Sequence, residues 1–250
     1  MMRASARVAI VTGGSGGMGR EIAARLADDG CSVVALDRRD SAEAEALRAG
    51  RTIAFHLVDV ASRDAVEVAV AHIEAELGPP TVLVNAAAVI SRAPFLEITD
   101  EQWDEVMRIN LRGTFVMCQV TARAMVRASV RGRIINISSN SQVMATPRAA
   151  HYAATKGGVF SLTRTMAFEL AGHGITANVV CPGPVLTDMT REAFADPEYR
   201  AQREGTVPIG RIGQPTDIAN VVALLASESS EFITGATLFV DGGQTLTAYS

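Results

Sequence analysis

RVAIVTGGSGGMGREIAARLADDG, residues 7–30, decides the fold. Residues 7–13 are β-branched and apolar and read as a strand, and residues 18–29 carry a helical apolar pattern. Between them stands TGGSGGMG, residues 12–19. Glycines at such a turn let the chain reverse sharply and bring backbone N–H groups close to an anion. The following helix points the positive end of its dipole at the same spot. Gly14, Gly16 and Gly19 satisfy G-x-G-x-x-G, and Gly13, Gly17 and Gly19 satisfy G-x-x-x-G-x-G. With a strand before and a helix after, the segment reads as a cradle for a dinucleotide's diphosphate.

The same alternation continues to the end of the chain. Strands are expected at 32–37, 52–60, 81–86, 133–138, 175–181 and 236–241. Helices are expected near 41–49 and at 63–77, 100–127, 150–171 and 215–226, with Thr99 or Asp100 capping the long one. The strands are almost continuously apolar, as when helices cover both faces of a sheet. Strand–helix repetition of this kind implies parallel pairing with right-handed crossovers. The expectation is one α/β domain over residues 1–250, a Rossmann-type doubly wound parallel sheet of about seven strands. Gly78, Pro79 and Pro80 form a tight connector. Residues 184–208 break the pattern with three prolines and scattered large apolar side chains, and a long excursion past a strand's carboxyl end reads as a substrate lid.

Composition removes several function classes. A chain of 250 residues with 48% apolar and 20% charged residues can bury a full core. Its net charge of −4 offers no basic field for nucleic acid. Its longest apolar runs are of strand length, so no membrane span is expected, and the N-terminus passes directly into a strand-like run with no room for a signal peptide. Cys31, Cys118 and Cys181 are odd in number and set among apolar neighbours, which reads as reduced core residues in a cytoplasmic protein. His56, His72, His151 and His173 form no pair at metal-ligand spacing, so no metal is expected.

Asp37 closes the second strand. A carboxylate there can accept hydrogen bonds from the adenosine ribose and repel a 2′-phosphate, which favours NAD over NADP. Arg38 and Arg39 pull the other way, since a guanidinium welcomes that phosphate. Asp59 is placed to meet the adenine amino group. Further on, HYAATKGG puts Tyr152 and Lys156 four residues apart on one helix face. A phenol titrates near pH 10, and working as a base near pH 7 asks for a fall of roughly three units, about 4 kcal/mol. One ammonium about 4 Å away at an effective dielectric of about 20 supplies that order of attraction.

With these motifs in order, the chain resembles the classical short-chain dehydrogenase/reductase family from about residue 7 to 243. The family's T-G-x-x-x-G-x-G stands here as Thr12, Gly13, Gly17 and Gly19, its D-h-T/V feature as Asp59 and Val60, and its Y-x-x-x-K as Tyr152 and Lys156. Its N-N-A-G segment appears as Asn85, Ala86, Ala87 and Ala88, a departure that removes a glycine used for close backbone approach. The resemblance implies Asn110, Ser139, Tyr152 and Lys156 as catalytic residues. Ser139 is preferred to Ser138 because it lies thirteen residues before the tyrosine and because strand parity turns Ser138 away. It implies dinucleotide contacts from Gly13, Ser15, Gly16, Gly17, Met18 and Gly19, then from Asp37, Arg38, Asp59 and Val60. Further contacts would come from Asn85, Ala86, Ala87, Tyr152 and Lys156, and finally from Pro182, Gly183, Val185 and Thr187.

The implied reaction is hydride transfer between a carbinol carbon and a nicotinamide. Tyr152 would exchange the proton, Lys156 would hold the phenolate and the ribose, Ser139 would orient the substrate oxygen, and Asn110 would hold a water on a proton route. Asn140, Gln142, Met144, Arg92, His151, Arg191 and Phe194 are candidate pocket residues. They suit a polyol, sugar, hydroxy acid or cyclic alcohol as the small-molecule partner. The helix at 150–171 is apolar nearly all round, which implies burial on more than one side and a homo-oligomer, of the tetrameric kind common in the family. Two other readings compete: an NADPH-dependent carbonyl or 3-oxoacyl reductase (or an epimerase-like member), and a dinucleotide-sensing protein without turnover.

Overall fold

The glycine-rich turn leaves the sheet at the carboxyl end of its central strand. The computed structural model describes residues 7–39 and 51–246. In chain order it holds β1 (Val8–Thr12), α1 (Gly17–Asp28), β2 (Ser32–Asp37), β3 (Ile53–Leu57), α2 (Arg63–Leu77) and β4 (Pro80–Asn85). Next come α3 (Asp100–Val106), a π-helical turn (Met107–Gly113), α4 (Thr114–Arg127), β5 (Arg133–Ile137), α5 (Ala150–Leu170) and β6 (Thr176–Pro182). The chain ends with α6 (Arg191–Phe194), α7 (Pro197–Gly205), α8 (Pro215–Ala226) and β7 (Thr237–Val240). The helix expected near 41–49 lies outside the described residues.

All seven strands pair in parallel in the order β3-β2-β1-β4-β5-β6-β7. The order reverses beside β1, where an open α/β sheet presents a crevice for a ligand. The period of two along β1 explains the double winding. Val8 and Ile10 face a core built with Val66 and Ile73 of α2 and Met117 and Met125 of α4. Ala9 and Val11 face a second core built with Ile22 and Leu26 of α1 and Ile218 and Val222 of α8. The architecture is the one the apolar patterning implied, a single Rossmann-type domain.

Two expected elements differ. The strand expected over 52–60 stops at Leu57; after Val58, which still donates to the Asp37 carbonyl at 2.8 Å, the chain turns, with Ser62 N–H bonding the Asp59 carbonyl at 2.9 Å. Asp59 therefore sits in a turn beyond the strand. The helix expected as unbroken over 100–127 starts at the Thr99 capping box but widens to a π-turn at Met107–Gly113. An extra residue per turn rotates the side chains that follow, and such turns favour functional positions. Here it lets Asn110 point inward and sets Gly113 so close to Val60 that a Cβ would lie 2.8 Å from Val60 Cγ2.

Candidate active site

The cradle is built from backbone that only glycine tolerates. Gly13 has φ +73°, and a Cβ there would lie 2.8 Å from the Ala87 nitrogen; a Cβ on Gly19 would overlap the Gly13 carbonyl oxygen. Thr12 Oγ1 accepts from the N–H groups of both Ala86 and Ala87 at 3.1 Å, which ties the end of β1 to the loop after β4. The close approach between these two loops thus comes from Gly13. Ala88, where the family has glycine, is accommodated: Ser129 and Arg148 are the non-glycine residues with positive φ among the described residues.

Asp37 closes β2 against this cradle. Its Oδ2 accepts from Ser15 Oγ at 2.5 Å and from Ser15 N–H at 3.1 Å, and its Oδ1 accepts from the Arg38 N–H at 2.7 Å. Held on both oxygens, the carboxylate is fixed in orientation beside the glycine loop. Asp59 accepts from Ala61 N–H at 3.0 Å and pairs with Arg108 at 3.0 Å. Burial pushes its carboxyl up, but the Ala61 N–H, the Arg108 guanidinium and the field of Arg38 together hold it below its usual range. Met18 packs against the second core, while Val60 and Val185 are buried in the first and second. Pro182 ends β6, and Gly183 presses on Asp241, where a Cβ would meet Asp241 Cβ at 2.7 Å. Thr187 N–H donates to Thr190 Oγ1 at 2.9 Å. Asp188, next to it, pairs with Arg20 of α1 at 3.2 Å and lies against Gly17.

Glycine loop, acid and backbone gap fit an adenine dinucleotide. Asn85, an expected contact, uses its side chain elsewhere. Its amide turns into the core, donating to Asn136 Oδ1 at 2.8 Å and to Cys118 Sγ at 3.2 Å. Asn136 continues to Thr163 Oγ1 at 2.8 Å. The Asn85 side chain thus braces the central strands.

Ser139, Tyr152 and Lys156 converge at the carboxyl end of β5. The Ser139 hydroxyl lies near enough to the Tyr152 phenol to oppose the rise of its pKa, while its own hydrogen bonds run to Ser141 Oγ at 3.0 Å and Asn140 Oδ1 at 3.4 Å. Ser138 points the other way, donating to Gln142 Oε1 at 2.9 Å and reaching the Lys156 carbonyl at 3.0 Å. Lys156 Nζ lies 5.4 Å from the centroid of the Tyr152 ring and donates to the Ile137 carbonyl at 2.9 Å. The acid–base balance departs from the expectation of a phenol tuned toward pH 7 by its lysine. Burial pushes the Tyr152 phenol up to about 12, opposed by the nearby Ser139 hydroxyl and the positive charge of Arg92. Burial also pushes Lys156 down to about 8, so desolvation outweighs the attraction the helical spacing provides. Asn110 is buried, and its amide grips the backbone of Val89 with Thr155 Oγ1 at 3.4 Å.

The expected pocket residues divide. Arg92 is exposed beside the phenol, and Asn140 follows Ser139 directly. His151 is fully buried; its Nε2 meets Ser91 Oγ at 2.6 Å, its Nδ1 has no protein partner, and burial lowers its pKa. Met144 is half-buried, and Gln142 belongs to the Ser138 network behind the site. Two do not belong to a pocket wall as expected. Arg191 is an exposed ion-pair partner of Asp188 at 3.0 Å, because a carboxylate three residues back captures its guanidinium. Phe194 is buried against Tyr199, ring centroids 5.9 Å apart, inside the 184–208 excursion. Gln244 escaped the sequence reading: it is buried and bonds Asn140. Its place just past the last strand's carboxyl end was the available signal.

The sequence profile described as enoyl-(acyl carrier protein) reductase matches residues 13–245. The 3-oxoacyl-[acyl-carrier-protein] reductase FabG of Staphylococcus aureus (strain Mu50) is 40% identical over 240 residues, 94% of this chain and 96% of that protein. The chain belongs to the short-chain dehydrogenase/reductase family. Another member, 3beta-hydroxysteroid dehydrogenase 1 of Eggerthella lenta, is 38% identical and covers 96% of this chain and 94% of its own. A gluconate 5-dehydrogenase from Burkholderia cenocepacia, solved in complex with NADP and tartrate, superimposes with TM-score 0.91 at 36% identity over 98% of both chains. As a short-chain dehydrogenase/reductase, the protein is an NAD(P)-dependent oxidoreductase acting on CH–OH groups. Among the described residues no helix is long and apolar enough to cross a membrane.

Proposed function

We propose that this chain interconverts a small secondary alcohol and its ketone, with NAD as the preferred cofactor and Tyr152 as the proton-exchanging residue. The observation that carries the reading is the convergence of the Ser139 hydroxyl and the half-buried Tyr152 phenol, with Lys156 Nζ 5.4 Å from the ring centroid. A bound nicotinamide would supply the hydride donor or acceptor and, when oxidised, a positive charge beside the phenol. Ser139 orients the substrate oxygen and steadies its developing charge. With the phenol pushed up to about 12 by the chain's own groups, Tyr152 carries its proton at neutral pH, the form that protonates a carbonyl during reduction. Oxidation uses the phenolate, favoured by Lys156 and Arg92. Lys156 holds the ribose hydroxyls, and residues 184–208 close over the substrate.

Asp37 supports NAD, because its fixed carboxylate would face a 2′-phosphate. A second reading, an NADP-dependent reductase, is supported by Arg38 and Arg39 and by the NADP complex of the gluconate relative. That relative also favours a polar hydroxy acid over a sterol-like alcohol, and exposed Arg92 is the cation placed to meet a carboxylate. The uncovered side of α5, with Phe168 88% exposed and open space above Gly157, supports a homo-oligomer, proposed as a tetramer in the cytoplasm. No nucleic-acid or membrane partner is proposed.

The test is a screen of secondary alcohols, polyols and hydroxy acids with NAD⁺ and NADP⁺, followed by reduced-nicotinamide absorbance. Tyr152→Phe should reduce turnover by roughly 10²–10⁴-fold while leaving dinucleotide binding intact. Full activity in that variant refutes the assignment, and a monomeric mass at micromolar concentration refutes the oligomer.

A further inference from the structure

We propose that His151 is a positioning residue: through Ser91 it fixes Arg92 at the cleft as the anchor for a substrate carboxylate, which makes the substrate a hydroxy acid. The inference rests on the reading of Tyr152 as the residue that meets the carbinol, and it adds the acid group to that substrate. Two neighbouring pairs define the geometry. His151 directly precedes Tyr152 in α5, and Ser91 directly precedes Arg92 in the loop after β4. His151 Nε2 and Ser91 Oγ lie 2.6 Å apart. One short hydrogen bond therefore sets the spacing between the backbones of Tyr152 and Arg92.

The loop is tied on alternate residues. The Asn110 amide holds Val89 N–H and C=O at 2.8 Å each, His151 holds Ser91, and the Arg148 carbonyl accepts from Ala93 N–H at 3.0 Å. Arg148 presents that carbonyl from φ +62°, a conformation that a non-glycine residue keeps only where its surroundings over-determine it. Ile90 and Arg92 fall between the ties. Arg92 is exposed, and its guanidinium makes no hydrogen bond or ion pair among the described residues. Its place is set by its backbone, hence by the ties on either side. Its positive charge reaches the Tyr152 phenol. An uncommitted guanidinium beside the reacting group matches a carboxylate, which can accept two parallel bonds from its fork.

His151 suits a fixed link and not a proton carrier. It is fully buried, and burial lowers its pKa. Its Nδ1 has no protein partner. An imidazolium would put a second N–H there with no protein group to accept it, so the ring is neutral near pH 7. Of the three ties, this is the one that joins two side chains. Substitution at either end cuts it and leaves the backbone ties at Val89 and Ala93 in place.

Calorimetry on the full chain, with and without NADH, tests this with tartrate and its neutral polyol counterpart threitol as probes. The wild type should bind tartrate about tenfold more tightly than threitol, and Arg92→Met should remove that preference. His151→Leu should weaken tartrate binding about fivefold, leave threitol unchanged, and add nothing to Arg92→Met. His151→Gln, whose amide nitrogen takes the place of Nε2, should restore most of the tartrate affinity. Ser91→Ala cuts the same link from its partly exposed end and should match His151→Leu, which separates the link from any folding defect of the buried substitution. The proposal is overturned if the wild type shows no preference for tartrate. It is equally overturned if Ser91→Ala weakens both probes alike, leaves tartrate binding unchanged, or adds fully to Arg92→Met. Turnover of Tyr152→Phe tests the oxidoreductase reading separately, so either can fail without the other.

Discussion

Asn110 satisfies both polar atoms of one residue's backbone: its Oδ1 accepts from Val89 N–H and its Nδ2 donates to the Val89 carbonyl, each at 2.8 Å. The π-turn makes this possible by aiming the amide at the loop after β4. Asn110→Ala would leave a buried donor and acceptor without partners, at about 1–3 kcal/mol each. The expected result is a lower denaturant midpoint together with weaker dinucleotide binding, because the same loop carries Ala86 and Ala87. An unchanged midpoint would show that water or a shifted loop replaces both bonds.

Ser139 and Ser138 separate activity from stability. Ser139→Ala removes the hydroxyl beside Tyr152 and should lower kcat by about 10²–10³-fold, as loss of one preorganised donor does. Ser138→Ala removes a hydroxyl that joins Gln142 to the Lys156 carbonyl. It should lower stability by about 1 kcal/mol and keep kcat within about tenfold. The two kcat values, measured on the alcohol found by screening, decide the matter; the reverse ranking would transfer the role to Ser138.

Strand parity was enough to tell these two serines apart, since neighbours on a strand face opposite ways. The apolar runs and the glycine turn made the double winding legible for the same reason: both follow from local periodicity. What the sequence hid depends on long-range packing. The π-turn arises where Gly113 meets Val60, which no window over 100–127 contains. The high Tyr152 pKa of the chain alone is invisible in the sequence, because helical spacing fixes the lysine's place but says nothing of how dry the site is. Gln244 belongs to the site only because β7 lies next to β6 and brings residue 244 to Asn140.

Asp37 holds the glycine loop through Ser15, and under the proposed reading it also sets the cofactor preference. Asp37→Ala should lower the NAD-over-NADP ratio of kcat/KM by about 10–100-fold, since Arg38 and Arg39 would then meet a 2′-phosphate with no opposing carboxylate. Ser15 loses its acceptor, so NAD affinity should fall as well. Binding of both reduced cofactors by fluorescence reads the change. A ratio that stays put would mean that the carboxylate serves only to brace the loop.

Lys156 is charged and nearly fully buried, and that makes its stability effect pH-dependent in a known sense. Its pKa is pushed from 10.5 down to about 8 by burial. Between those values the unfolded chain binds a proton that the folded chain has released, so stability attributable to this group rises with pH there. The penalty is complete below pH 8 and relieved by 10.5, on the order of 3 kcal/mol. Lys156→Met removes the group while keeping its bulk. Measured by urea unfolding, the wild type should gain on the variant steadily from pH 8 to 10.5. The neighbouring Cys181 thiol, pushed up to about 12 by burial, stays protonated across most of that window in both proteins. A wild-type-minus-variant difference that is flat with pH would mean that the ammonium is far better solvated than its position between β5 and β6 allows.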